Sequence, residues 1–368
     1  MDLAWGEDFA ALADVGRSVF ARWSPLEDRS RTVPFAEQVA RLAELGWLQL
    51  GDPGGADDES PSLATIAGIF VEMGRALAAT PLLELTTARD AALVVGTEPA
   101  VALAERIGAG ATVVLPVLPS ADWGSSLSLA DGVLTGTALA VGYADRADAF
   151  LVHAGSEGTG SDGTGGSILA LVEPGPSVAV EAMPNLGEHP MFALTFHDVA
   201  VGGDAVLARG RDADRAVEVA TQRADVLRAA QVHGAGLRLL DMTVRYAKER
   251  HQFGGPIGRF QAVQYLCTDL ALATHLTSVH ARSAAAALDS GADPQPHLGL
   301  MRRQAARAAL QVVHSAHEVH AGIGYMVESD VHLFTSAAKR WQFDFGPAAR
   351  NDADIVAALD RTSAGAAR

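Results

Sequence analysis

The sequence predicts an α+β multidomain protein. An N-terminal α-helical domain is expected over residues 1–110, a middle antiparallel β domain over 111–207 and a C-terminal four-helix bundle over 212–360. Three observations predict it. In the first and last parts apolar residues recur at three- and four-residue spacing, the periodicity of helices that bury one face. Between them the chain breaks into short runs rich in Val, Leu and Thr, separated by Gly, Asp, Ser and Pro, as strands are. At 368 residues the chain has the length for two or three domains, each with a core.

The elements follow in order. PFAEQVARLAELGWLQLG carries apolar residues at helical spacing and closes on Gly51. PSLATIAGIFVEMGRALAATPLLELTTARDAALVVG predicts two further helices, the second starting at Pro81, whose fixed φ suits a first helical turn. Strands are expected at ATVVLPVLP, SLSLADGVLTGTALAV, DAFLVHA, SILALVEPG, SVAVEAM and FALTFHDVAV. Asp131-Gly132, between two apolar runs, predicts a two-residue hairpin turn. Over 221–249, Val226, Ala230, His233, Leu237, Leu240, Val244 and Ala247 step by four and three along one face of a long helix. Gly254-Gly255-Pro256 breaks the chain after it. Helical stretches follow at Phe260 to Ala287, 298–319 and Val331 to Gln342, with GADPQPH as a loop. Four antiparallel helices with short links make an up-and-down bundle. No internal repeat is visible.

Composition excludes several classes. Acidic residues number 44 and basic residues 28, for a formal net charge of −16, so the surface repels phosphate backbones and nucleic acid is not an expected partner. Cys267 is the single cysteine, which rules out an intrachain disulfide; it reads as a buried small hydrophobe. The acidic start MDLAWGEDFAALADVG has no basic region followed by an apolar stretch, unlike a signal peptide, and no apolar run approaches the ~20 residues of a membrane span. A soluble, cytoplasmic protein is expected.

Four motifs were weighed. Gly158, Gly160 and Gly163 have G-x-G-x-x-G spacing, but they lie between two strand candidates where a dinucleotide fingerprint needs a strand and then a helix, so the stretch reads as a hairpin loop. HSAHEVH places His314, His317, Glu318 and His320 together without the H-E-x-x-H order of zinc hydrolases, and reads as helix-end polar contacts. In RYAKERHQFGGPIGRFQAVQ, Arg250, His251 and Gln252 end a helix, and Arg259, Phe260 and Gln261 open the next after a Gly-Gly-Pro turn. A guanidinium there can bind a phosphate bidentately, and Gln261 can pair with a heterocycle edge; an αα-corner with a surface arginine is the alternative. In VHAGIGYMVESDVHLF, Ala321, Gly322 and Gly324 allow close backbone approach by a ligand, or simply cap a helix.

The pair R-x-Q-F-G-x-P-I-x-x-F-Q and H-A-G-I-G-Y-x-x-E-x-D, about 60 residues apart in a helical half, resembles the acyl-CoA dehydrogenase family. The α–β–α order is similar to that family along nearly the whole chain. The short form and the departures below look most like the β-type subunits of actinobacterial steroid side-chain acyl-CoA dehydrogenases, which assemble as α2β2 heterotetramers. The resemblance implies α,β-dehydrogenation of an acyl-CoA thioester. A carboxylate removes the α-proton and the β-hydride passes to FAD, which lies between two subunits. It carries Arg250, Gln252, Phe253 and Gln261 onto the first cross-subunit FAD motif, and Ala321 and Gly322 onto the second. There the family has Gly where Ala321 stands and Gln where Glu318 stands, and a carboxylate beside phosphates is unfavourable.

The other half of the family pattern is missing. LPVLPSADWGSSLS lacks the family's Glu-Pro-Gly loop, and FLVHAGSEG lacks its Trp and Thr or Ser. The usual position of the catalytic Glu falls on Phe345. The alternative base position, on the first bundle helix, falls on Ala224, beside Asp225, which otherwise reads as a solvent-facing or first-turn acid. Asp344 is a further weak candidate, and Arg223 and Arg228 read as solvated helix arginines with a CoA phosphate contact as the alternative. The expectation is therefore a non-catalytic subunit that completes the FAD site of a homologous catalytic chain acting on acyl-CoA. The rivals are a self-sufficient homo-oligomer with Asp225 as base, a flavin-free scaffold, and a flavoenzyme of other chemistry such as an oxidase or monooxygenase.

Overall fold

The computed structural model describes residues 5, 8–26, 28–30, 32–53, 60–118, 125–156, 166–187 and 189–366. Five helices come first: α1 (Phe9–Phe20), α2 (Phe35–Glu44), α3 (Leu63–Ala76), α4 (Leu82–Val95) and α5 (Glu98–Gly108). Strands β1 (Val114–Val117), β2 (Ser126–Ala130), β3 (Val133–Gly142), β4 (Ala149–Ser156), β5 (Ile168–Val172), β6 (Val178–Ala182), β7 (Met191–Ala200) and β8 (Val206–Arg209) follow. The chain then becomes helical again in α6 (Arg211–Glu249), α7 (Gln261–Asp289), α8 (Gln295–His320), α9 (Val331–Asp344) and α10 (Ala348–Ala366), with the short hairpin β9 (His251–Gln252) and β10 (Gly255–Pro256) between α6 and α7. The helical, then β, then helical order matches the expected fold class. α10 adds a fifth helix to the four read from the sequence.

The chain divides into two compact units, residues 1–32, 61–79 and 225–368 in one, and 33–60 and 80–224 in the other. In the second, the strands form one sheet in the order β6-β7-β3-β2-β4-β5-β8, with β1 added beside β4. Most pairs are antiparallel, but β1 and β2 each run parallel to β4, so the sheet is mixed. Ala130 pairs with Val133 around Asp131-Gly132, whose φ values of 51° and 77° are those of the expected hairpin turn. Phe150, Leu151 and Val152 of β4 are fully buried and form the centre of this core.

In the first unit, α3 lies directly on α6. A Cβ at Gly234 would stand 1.8 Å from the Val71 carbonyl oxygen, and one at Gly74 would stand 2.0 Å from the Gln231 carbonyl oxygen, so both positions require glycine. The Ser62 hydroxyl accepts from the Thr65 N–H at 3.1 Å to cap α3. The Asp289 carboxylate, at the end of α7, accepts from the N–H groups of Leu63 and Ala64 at the same helix start. α6 is therefore packed on all sides near its middle, which places residues 225–236 in the core and leaves its C-terminal end at the surface.

Candidate active site

The first motif folds as a tight hairpin at the end of α6. The Ile257 N–H donates to the Arg250 carbonyl at 2.8 Å, and Phe253 and Gly254 turn the chain with φ values of 53° and 85°. The Arg259 guanidinium donates to the Phe253 carbonyl and stacks over the Phe260 ring. This closed turn projects its side chains outward: Arg250, Gln252, Phe253 and Gln261 are all exposed, Phe253 by 86%. The Arg250 side chain has no hydrogen-bond or ion-pair partner among the described residues. Gln252 Nε2 donates to its neighbour's carbonyl and Gln261 Nε2 to the Tyr265 hydroxyl, both at 2.7 Å.

The second motif begins where α8 ends. Ala321 has φ 51° and ψ −140°, a conformation in which only glycine is comfortable, and a 3-10 turn runs from it to Tyr325. Nothing stands within 4 Å of a Cβ at Gly322, so the backbone there faces open space. Glu318 is exposed. The His320 ring stacks on Tyr246 at 4.4 Å, and Tyr246 lies one helical turn before Arg250, whose N–H donates to its carbonyl at 2.8 Å. The stack brings the two motifs to the same end of the bundle. A guanidinium, two amide side chains and an open turn backbone are a donor set that fits a dinucleotide pyrophosphate.

The candidate base positions present different chemistry. Phe345 is buried at the end of α9, its carbonyl accepting from Asn351 Nδ2 at 3.0 Å, and it supplies no ionisable group. Asp225 is neither solvent-facing nor in a first turn: it lies within α6, 4% exposed. Arg302 Nε donates to one carboxylate oxygen at 2.7 Å and Arg228 Nη1 to the other at 3.0 Å. Asp344 is held by Arg340 at 3.2 Å and by Arg228 at 3.4 Å. Arg223 and Arg228 are likewise not solvated arginines, since Arg223 Nε donates to the buried Asp90 at 2.7 Å. Burial is the first cause that drives the Asp90 carboxyl above its ordinary value, opposed by the Arg223 charge.

Sequence reading missed what the histidines do. His317 and His320 are buried plates against Tyr325 and Tyr246, with spacings visible only after the turn reverses the chain. Cys267 is half-buried rather than a core residue. It lines a groove between α6 and α7 with Val244, Lys248, Leu272 and His275, and burial raises its thiol. Gly158, Gly160 and Gly163, and the middle of LPVLPSADWGSSLS, lie outside the described residues.

Residues 214–359 match the family model for the acyl-CoA dehydrogenase C-terminal domain. Acyl-CoA dehydrogenase FadE27 of Mycobacterium tuberculosis is 30% identical over 322 residues, covering 84% of each chain. The chain belongs to the acyl-CoA dehydrogenase family. Acyl-CoA dehydrogenase IpdE2 of Mycolicibacterium smegmatis is 32% identical, covering 82% of this chain and 79% of the relative. Among solved structures, the ChsE4-ChsE5 complex of Mycobacterium tuberculosis superposes with a TM-score of 0.83 at 27% identity, covering 98% of this chain and 99% of that one. Butyryl-CoA dehydrogenase of Megasphaera elsdenii shares the fold at TM-score 0.80 and 19% identity. Membership of the acyl-CoA dehydrogenase family places the chain among the FAD-dependent oxidoreductases, as an enzyme or as a subunit of one. Among its described residues no helix is long and apolar enough to cross a membrane.

Proposed function

We propose that this chain is the non-catalytic subunit of a heteromeric, cytoplasmic acyl-CoA dehydrogenase, paired as α2β2 with a homologous catalytic chain. In this reading Arg250 binds the pyrophosphate of a shared FAD, Gln252 and Gln261 pair with polar edges of the cofactor, and Phe253 covers an apolar face of it. The backbone at Ala321 and Gly322 faces the phosphates. Bound FAD supplies the hydride acceptor for α,β-dehydrogenation of the thioester. The substrate class is a bulky acyl-CoA such as a steroid side chain, a choice supported by the likeness to steroid side-chain subunits.

The observation that carries the reading is the state of the base positions. Phe345 cannot take a proton, and both oxygens of Asp225 are engaged by guanidiniums. A general base must reach the substrate proton with a free lone pair, and a carboxylate bridging two arginines is held as a structural anion instead. The exposed Arg250, whose side chain has no partner among the described residues, adds support, because it is placed to act outside this chain.

Purification of the full chain with and without a co-expressed homologous catalytic chain tests this. The expected result is a heteromeric complex carrying one flavin per heterodimer and oxidising acyl-CoA, and a lone chain without stoichiometric flavin or turnover. A lone chain that is yellow and dehydrogenates acyl-CoA overturns it in favour of a self-sufficient enzyme. A complex without flavin absorbance favours a scaffold.

A further inference from the structure

Two imidazole–phenol stacks brace the turn that follows α8. The His317 and Tyr325 rings are 4.2 Å apart and the His320 and Tyr246 rings 4.4 Å apart, each pair within 18° of parallel. His317 Nε2 is also 2.6 Å from the Thr335 hydroxyl of α9. Gly324 closes the assembly: a Cβ there would stand 2.8 Å from His317 Nδ1 and 3.2 Å from His320 Cβ. Both histidines are buried, whereas Ala321, Gly322 and Ile323 between the stacks are exposed. His317 Nδ1 and His320 Nε2 are buried with no hydrogen-bond partner among the described residues. An imidazole with a bare buried nitrogen is tolerated neutral and rejected charged, so His320 acts as an apolar plate and His317 as a plate tied through Nε2 to Thr335.

We propose that His317 and His320 are positioning residues for the cofactor, holding the 321–325 turn between α6 and α9 so that the Ala321–Gly322 backbone faces the FAD phosphates. The inference rests on the reading of that turn as phosphate-binding. His320 is the sharper case. Among the described residues its ring stacks on Tyr246, so it ties the second motif to the helix that carries the first. Acid should release the brace. Burial first, then the His317 charge, lowers His320 to about 4, and burial, His332 on α9 and His314 on α8 lower His317. Tyr246 on α6 and Tyr325 in the turn are the remaining titratable faces against the two rings, and Glu318, between them on α8, is exposed.

The test measures amide hydrogen exchange over 322–326 in the full chain, and FAD affinity in the complex with its co-expressed catalytic chain. His320→Ala is expected to speed exchange in the turn about tenfold or more and to weaken FAD binding about tenfold. His320→Phe, which keeps the stack and cannot titrate, is expected to restore both and to reduce the acid sensitivity of the turn to the share carried by His317. Should His320→Ala fail to fold, Tyr246→Leu removes the same stack from the other side, with the same expectation. Wild-type exchange and binding in His320→Ala and Tyr246→Leu, or a His320→Phe no better than His320→Ala, overturns the positioning role. Arg250→Ala is the control: weakened FAD binding there keeps the site reading even if the positioning role falls. Unchanged FAD binding in both Arg250→Ala and His320→Ala removes the site reading and the cofactor role of the brace with it.

Discussion

The middle and the end of α6 treat charge in opposite ways. At Asp225 a carboxylate is 4% exposed and both of its oxygens meet arginines. At Arg250, one residue beyond the helix, a guanidinium stands in solvent without a partner among the described residues. A buried charge is tolerable only when paired, whereas a surface charge is available for a ligand. The same helix thus contains a strut and an outward-facing hand. The proposed non-catalytic role follows this contrast, because a dehydrogenase that works alone needs an accessible proton acceptor in its interior.

The largest effect expected is at the strut. Asp225→Asn takes the counter-charge from the partly buried Arg302 and leaves Arg228 with Asp344 alone, and should cost about 3 kcal/mol in unfolding free energy. Turnover of the assembled complex should stay within about threefold. Denaturant unfolding and acyl-CoA oxidation read the two numbers separately. Full stability with a rate loss of several orders of magnitude would make Asp225 the base and end the contrast.

His233 sharpens it, because it lies on the same inner stretch of α6 without a counter-charge. Burial is the main cause that lowers it to about 4, while its Nδ1 donates to the Thr274 carbonyl at 3.0 Å. The folded state holds the neutral ring, and the unfolded chain takes a proton near the ordinary value. Its contribution to stability is whole above about pH 6.5 and is lost as pH falls toward 4, to the extent of about 3 kcal/mol. Urea unfolding at pH 7 and pH 4.5 measures this, and His233→Gln should flatten the dependence. An unchanged slope in that variant assigns the acid sensitivity elsewhere.

At the outward end the effect should be on binding alone. Arg250→Ala removes a charged donor whose side chain has no partner among the described residues. FAD affinity of the complex should fall about 10- to 100-fold, with unfolding free energy unchanged within about 0.5 kcal/mol. A loss of stability without a loss of flavin would make Arg250 structural.

What the sequence made legible follows the same division. The turns themselves are readable because their residues are neighbours in the chain: Arg250 leads into the 251–256 hairpin, Gln261 opens the helix after it, and Asp131-Gly132 dictates its own turn. The state of Asp225 was not readable. One partner, Arg228, is three residues away, but Arg302 comes from α8, 77 residues on, and nothing local marks it. Two parallel strand pairs were missed because periodicity reports the face of a strand and not its direction. α10 is not marked in the sequence because the large apolar residues of AARNDADIVAALDRTSAGA are Ile355, Val356 and Leu359 alone, and the last two are exposed, which gives it a weak stripe.

The smallest effect expected is the one most closely tied to geometry. Ala321 holds φ 51° and ψ −140°, where its Cβ crowds its own backbone, at a position where the family resemblance implies glycine. The residue is exposed, so removing its methyl group opens no cavity. Relief of strain of about 1–3 kcal/mol is partly offset by the extra freedom glycine gains in the unfolded chain, about 0.5–1 kcal/mol. Ala321→Gly should therefore raise unfolding free energy by about 1 kcal/mol, measurable by urea titration. If the strain is what keeps the backbone open beside Gly322, FAD affinity should fall slightly. If the strain is incidental, affinity should hold or rise while stability improves. Destabilisation by this substitution would mean that the left-handed geometry at 321 is not what limits the turn, and the Ala-for-Gly exchange would then carry no cost to explain.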